Sequence, residues 1–237
     1  MFISLLAIHD GDAKLQNLSL ASNLHLIFFT FDSGNSAKKL YFCGKFVDYM
    51  EKEILRAIEV LREGGIILYP TDTVWGIGCD ATNAEAVERI YALKRSKNKT
   101  SMLVLCRDAD MIVRYVNKAP GIAFEVMEMT EKPLTLILEG AVGLAPNPIP
   151  EEGTLGVRVP RHDFCHQLLR KFGKPIVSTS ANISGEPTPL KGLGEVSREI
   201  IDGVDYVVNP RFQGKPTCKP SAIIAFGERG EVKIIRQ

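Results

Sequence analysis

Cysteine is sparse and scattered in this chain of 237 residues: five, at positions 43, 79, 106, 165 and 218, odd in number and with no C-x-x-C pair. That pattern excludes a disulfide framework and a cysteine zinc site, and a reducing, cytoplasmic compartment is expected. Histidine is just as scarce. Of four (9, 25, 162, 166), only His162 and His166 share a helical spacing, and no third metal ligand accompanies them, so no metal is assigned. Long apolar runs are missing too. LHLIFF at 24–29 falls far short of the roughly 20 residues that span a bilayer, and no membrane association is expected. The N-terminus has no basic stretch and meets Asp10 early, unlike a secretory signal. Charge of one sign is not in surplus: 29 Lys and Arg face 28 Asp and Glu, which excludes a polybasic nucleic-acid arm or an acidic disordered tail. There is no internal repeat.

Glu and Arg are entirely absent from residues 1–49, which carry eight charges, whereas the other 188 residues carry the rest. The same segment holds six of the eleven Phe. Regular patterning starts at Met50. Residues 1–49 are therefore expected to be an extension outside the domain, poorly ordered or translated from a misassigned start. Residues 50–237 are expected to form one α/β domain.

Within 50–237 the periodicity predicts helices over MEKEILRAIEVLREGG, TNAEAVERIYALK, a segment capped by Asp108, GIAFEVMEM, a segment opened by Asp163, and GEVSREI. Strands are expected at IILY, MLVLC, LTLIL, LGVRV, PIVSTSA, YVVN, SAIIAF and EVKII, the last two joined by a GERG hairpin turn. Helices alternate with strands and a strand-rich tail follows, which gives a mixed sheet with flanking helices.

Four clusters carry chemistry. YPTDTVWGIGCDA (69–81) contains G-I-G-C-D-A, a match to the dinucleotide fingerprint. That motif needs a tight turn directly after its strand, and here Pro70 ends the strand six residues too early. The segment reads better as a ligand loop at a strand end, with hydroxyls on Thr71 and Thr73, the Asp72 carboxylate, and glycines that admit close backbone approach. LKRSKNKTS (93–101) packs Lys94, Arg95, Lys97 and Lys99 within six positions: either compensation of a helix C-terminus or the cation group a triphosphate requires. In TLGVRVPRH, Arg158 lies in an apolar strand, where it needs solvent or an anionic partner such as a carboxylate or phosphate. STSANISGEP offers Ser180 and Asn182 as short donors and acceptors at a strand end, or is a plain Ser/Asn turn.

In order, YPTDTVWGIG, LKRSKNK, GVRVP, STSANISG and KPSAIIAF resemble the motifs of the YrdC/TsaC family, the threonylcarbamoyladenylate synthases. The resemblance covers 50–237 in the short, single-domain form. It implies a twisted mixed α/β sheet with flanking helices and a central concave basic cavity. It also implies a nucleotidyltransferase that condenses L-threonine, bicarbonate and ATP, with Mg²⁺, to threonylcarbamoyl-AMP and pyrophosphate. A separate threonylcarbamoyl transferase complex would then complete the tRNA modification.

The resemblance places threonine on Thr73, Arg158 and Ser180. It places ATP on Lys94, Arg95, Lys99, Thr154, Asn182 and Ser221, with Lys94, Arg95, Ser180 and Asn182 as the catalytic group. Three positions depart from the family pattern. The basic motif reads Lys94-Arg95-Ser96, so whether Arg95 or Ser96 fills its second position stays open. Ser221 is followed by Ala222 where the family has a hydroxyl, and Leu190 stands where another hydroxyl is common. The alternative from another class is a module that binds double-stranded RNA or tRNA without catalysis. Near-neutral charge and the lack of RNA-motif aromatics weigh against it, leaving weak tRNA contact as a subsidiary expectation.

Overall fold

A computed structural model describes residues 28–29, 41–96, 102–150 and 153–237, with side chains described from Tyr49 onward. The chain divides into two units, Met1–Lys52 and Glu53–Gln237. In the first, strands β1 (Phe28–Phe29) and β2 (Tyr41–Phe42) pair antiparallel. Most of the 1–49 extension expected from composition lies outside the described residues. Helix α1 (Cys43–Arg62) starts seven residues before Met50, where the periodicity places its beginning.

The second unit is built on one mixed sheet. Its strands are β3 (Ile67–Tyr69), β4 (Gly76–Asp80), β5 (Leu103–Leu105), β6 (Val116–Lys118), β7 (Leu134–Ala141), β8 (Thr154–Arg158), β9 (Ile176–Ser180), β10 (Tyr206–Val207), β11 (Ala222–Phe226) and β12 (Val232–Arg236). They lie in the order β10-β3-β4-β9-β5-β8-β7-β11-β12, and β6 pairs with β7. The pairs β10–β3, β5–β8 and β11–β7 are parallel and the rest antiparallel. Helices α2 (Ala84–Leu93), α3 (Ala109–Tyr115), α4 (Gly121–Met129), α5 (Asp163–Phe172) and α6 (Arg198–Gly203) complete the unit. The expected α/β class and mixed sheet with flanking helices are what the chain forms.

Local chemistry accounts for most boundaries. Asn83 caps α2 through Ala86 N, Asp108 caps α3 through Met111 N, and Ser197 caps α6 through Ile200 N. The Ser197 cap restricts α6 to the end of the expected GEVSREI helix; Leu193–Glu195 is a separate 3-10 turn. The helix capped by Asp108 stops at Tyr115, because Val116–Lys118 pairs with β7. No helix among the described residues is long and apolar enough to cross a membrane.

The largest revision is β4. GIGCD is a fully buried central strand between β3 and β9, not a glycine loop. Glycine is depleted in strands, so propensity conceals it. Close packing explains both glycines. A Cβ on Gly78 would lie 2.7 Å from Val177 O and 2.8 Å from Tyr69 Cε1; one on Gly76 would lie 3.2 Å from Ser178 Oγ. Because this segment is a strand, no helix N-terminus follows its glycines directly, and the dinucleotide reading fails on geometry.

Candidate functional site

The six residues between β3 and β4 fold back on themselves. Thr71 Oγ1 donates to Val74 O at 2.7 Å, so its oxygen accepts from Thr73 N at 3.1 Å and from the Thr73 hydroxyl at 2.9 Å. The Thr73 proton is thereby used, and Thr73 Oγ1 accepts from Arg158 Nη1 at 3.0 Å. A hydroxyl oxygen has two lone pairs, so Thr73 retains one acceptor site.

Arg158 ends β8 with a side chain only 5% exposed. Its Nη2 is 3.2 Å from Asp72 Oδ1, the anionic partner that an Arg among apolar strand residues requires. The contact is an ion pair without hydrogen-bond alignment: Asp72 Oδ1 and Arg158 Nε are both buried and unpartnered. Asp72 Oδ2 accepts from Arg161 N at 3.1 Å. A strap before β11 closes over the loop, with Thr217 N donating to Asp72 O and Cys218 N to Thr73 O. Gln213 accepts from Trp75 Nε1 at 2.8 Å, which anchors the strap's other end.

These groups border a cavity of about 220 Å³, lined by Thr73, Arg158, Ser180 and Ser221 together with Ser178, Thr188 and Arg236. Four sequence-expected residues thus share one cavity. Ser221 Oγ lies 2.7 Å from Thr135 Oγ1, and Arg236 Nε donates to Ser221 O at 2.9 Å.

Lys94 reaches the site from the end of α2. Its Nζ donates to Ser180 O and Asn182 O, both at 2.6 Å, and Ser184 N returns a bond to Lys94 O. Burial pushes the Lys94 amine down to about 8. Two close carbonyls favour the ammonium and oppose that shift. Asn182 Nδ2 donates to Ile183 O and Glu186 O, leaving its buried Oδ1 unpartnered.

Arg95 and Thr154, both expected at the site, sit elsewhere. Arg95 adopts a left-handed backbone (φ 52°) as the chain leaves α2, and its exposed guanidinium pairs with Glu199 at 2.6 Å. One step along a helix end turns a side chain by about 100°, so adjacent Lys94 and Arg95 diverge. Ser96, the other candidate for that role, bonds Ser184 Oγ at 2.7 Å. Thr154 pairs opposite Glu139 at the start of β8, about 13 Å along the strand from Arg158. Lys99 lies outside the described residues.

Sequence reasoning misses Ser178, Thr188 and Arg236 as site residues. Ser178 and Arg236 stand at alternating strand positions that look structural, and Thr188 sits in a loop with no motif of its own. His162 Nε2 meets Gln213 O at 3.1 Å, and no group of three or more His, Cys, Asp or Glu among the described residues could hold a metal. The thiols of Cys79, Cys106 and Cys165 are pushed up by burial, Cys106 to about 12, so none is a ready nucleophile.

A mixed sheet with flanking helices and a polar cavity that carries the buried Arg158 defines an α/β protein with a site sized for a small ligand. A profile of the Sua5/YciO/YrdC family, described as telomere recombination, matches residues 59–237. A threonylcarbamoyl-AMP synthase of Pseudoalteromonas translucida is 31% identical over 176 residues, covering 73% of this chain and 92% of that one. The crystal structure of Escherichia coli YciO superposes with a TM-score of 0.68 at 26% identity, covering 79% of this chain and 89% of that one. P. abyssi Sua5 complexed with L-threonine shares the fold, with a TM-score of 0.68 at 24% identity over 75% of this chain and 51% of that one. The chain belongs to the Sua5/YciO/YrdC family.

Proposed function

We propose that this protein is an L-threonylcarbamoyladenylate synthase. It condenses L-threonine, bicarbonate and ATP to threonylcarbamoyl-AMP, pyrophosphate and water. The observation that carries the reading is the buried Arg158 guanidinium, bound to Thr73 on the wall of a small polar cavity, in a chain whose relatives include threonylcarbamoyl-AMP synthases.

In this reading Arg158 holds the threonine carboxylate, and the spare lone pair of Thr73 accepts from the substrate's ammonium or hydroxyl group. Ser180 and Ser221 line the ATP side, Asn182 is assigned to ATP next to them, and Lys94 fixes the Ser180–Asn182 backbone. Arg95, Lys99 and Thr154 are assigned to ATP. Threonine's amine attacks the bicarbonate carbon, a C–O bond breaks and water leaves to give the carbamate, and the carbamate oxygen then attacks the α-phosphorus, expelling pyrophosphate. No enzyme nucleophile is required, in keeping with thiols held protonated by burial. Catalysis rests on holding three substrates in register and stabilising charge on the leaving group.

The described residues do not supply a metal cage: the carboxylate beside the cavity, Asp72, already faces Arg158. Mg²⁺ would therefore enter on the ATP phosphates. The product would pass to a threonylcarbamoyl transferase complex for tRNA modification in the cytoplasm, with weak tRNA contact at most.

Catalysis is assigned to residues 50–237, and residues 1–49 to a dispensable extension. A chain beginning at Met50 should retain turnover; a folded truncation without it would refute that assignment. The synthase reading itself is tested by pyrophosphate release from ATP and bicarbonate with and without threonine. Threonine-dependent release is expected, and release equal to the no-threonine control would end the proposal.

A further inference from the structure

Tyr69 and Ser178 are 109 residues apart in sequence, yet the buried Tyr69 Oη donates to Ser178 Oγ at 2.8 Å. Tyr69 is 0% and Ser178 5% exposed, and strand β4 runs between them in the sheet. The two glycines of β4 permit the contact. Gly78 gives the Tyr69 ring its path: a Cβ there would stand 2.8 Å from Tyr69 Cε1. Gly76 keeps the space beside Ser178 Oγ clear, since a Cβ there would come within 3.2 Å of that oxygen and 3.6 Å of Thr71 Cγ2. Gly76 and Ser178 both line the cavity.

Proton accounting gives this arrangement a direction. A phenol is a stronger donor than an aliphatic hydroxyl, and Tyr69 Oη has no other partner among the described residues. With the phenol donating, Ser178 Oγ is the acceptor and its own proton must go elsewhere. No acceptor among the described residues takes it, and the open side is the cavity. Thr73 is the complement: its proton is spent on Thr71, so it meets a ligand as an acceptor.

We infer that Ser178, aimed by Tyr69 across the glycines of β4, is a substrate-binding hydrogen-bond donor to an anionic oxygen of the amino-acid substrate. Tyr69 is a positioning residue that acts through it. The inference rests on the synthase reading for the identity of that substrate. It also accounts for the G-I-G segment, in which one glycine clears the path of the phenol and the other leaves the aimed hydroxyl uncovered.

The test is calorimetric titration of L-threonine into the full chain and into Ser178→Ala, Tyr69→Phe, the double variant and Gly76→Ala, each checked for its fold by circular dichroism. Loss of a buried donor to a charged oxygen should weaken threonine binding about tenfold in Ser178→Ala. Tyr69→Phe should weaken it severalfold alone but have no further effect once Ser178 is Ala. Gly76→Ala should weaken it as well, by placing a methyl against Ser178 Oγ. Threonine binding within twofold of the parent in folded Ser178→Ala would overturn the inference and leave the synthase reading intact. An equal Tyr69→Phe effect in both backgrounds would overturn the positioning role. A parent chain that turns over no threonine and binds none would remove both readings together.

Discussion

Arg158 and Asp72 face each other inside the protein, 3.2 Å apart between Nη2 and Oδ1, with side chains 5% and 7% exposed. Their alignment falls short of a hydrogen bond, and Arg158 Nε has no partner at all. A buried guanidinium with one imperfect counterion and donor capacity to spare is prepared for a second carboxylate.

Removing the counterion should expose that readiness. Asp72→Asn leaves Arg158 uncompensated, at a cost of about 3–5 kcal/mol typical of a broken buried pair. Threonine's carboxylate then becomes the main counterion, so threonine should raise the melting temperature of Asp72→Asn more than that of the parent. Equal or smaller stabilisation would mean that the ligand's carboxylate does not reach Arg158.

Arg158→Ala should separate the two substrates kinetically. The KM for threonine should rise on the order of 10- to 100-fold, the range of a charge-assisted bond, while that for ATP changes little. Parallel increases in both would move Arg158 out of the carboxylate role.

Lys94 gives a pH-dependent signature. Its folded-state proton affinity is lowered to about 8 by burial, below the 10.5 of a free lysine. Between those values the unfolded chain holds the proton that the folded chain has released, so unfolding free energy gains with rising pH. The stability of the parent relative to Lys94→Met should therefore increase from about pH 8 to about pH 10 in urea titrations. The two carbonyl bonds narrow this window by favouring the ammonium. A difference that shrinks with pH would contradict the assignment.

Arg95→Ala should change stability by less than about 1 kcal/mol, because its pair with Glu199 is exposed at 66% and 46%. Denaturant midpoints check this. A larger loss would mean that the left-handed turn at Arg95 depends on the guanidinium.

Much of this site is legible in the sequence, for identifiable reasons. Arg158 stands out because a cation in an apolar strand needs a partner, and Thr73, Ser180 and Ser221 lie in ordered motifs. What stays hidden depends on contacts between distant segments. Nothing local indicates that Tyr69 reaches Ser178, that Lys94 turns inward while Arg95 turns out, or that Arg236 at the chain's end returns to Ser221. Strand β4 is obscured because its glycines answer to the packing of Tyr69 and Val177, not to local propensity. Two helix starts are read more easily, since Asn83 and Asp108 cap through side chains only three residues from their targets, whereas the cap at Ser197 inside GEVSREI is not anticipated.

The central claim is that this cavity joins bicarbonate carbon to threonine on an adenylate. Carbon-labelled bicarbonate supplied with ATP and L-threonine, followed by rapid mass spectrometry, tests it directly. The account predicts a labelled threonylcarbamoyl adenylate that forms with the full chain and is lost in Arg158→Ala. Turnover of ATP with no label in any adenylate product would contradict it.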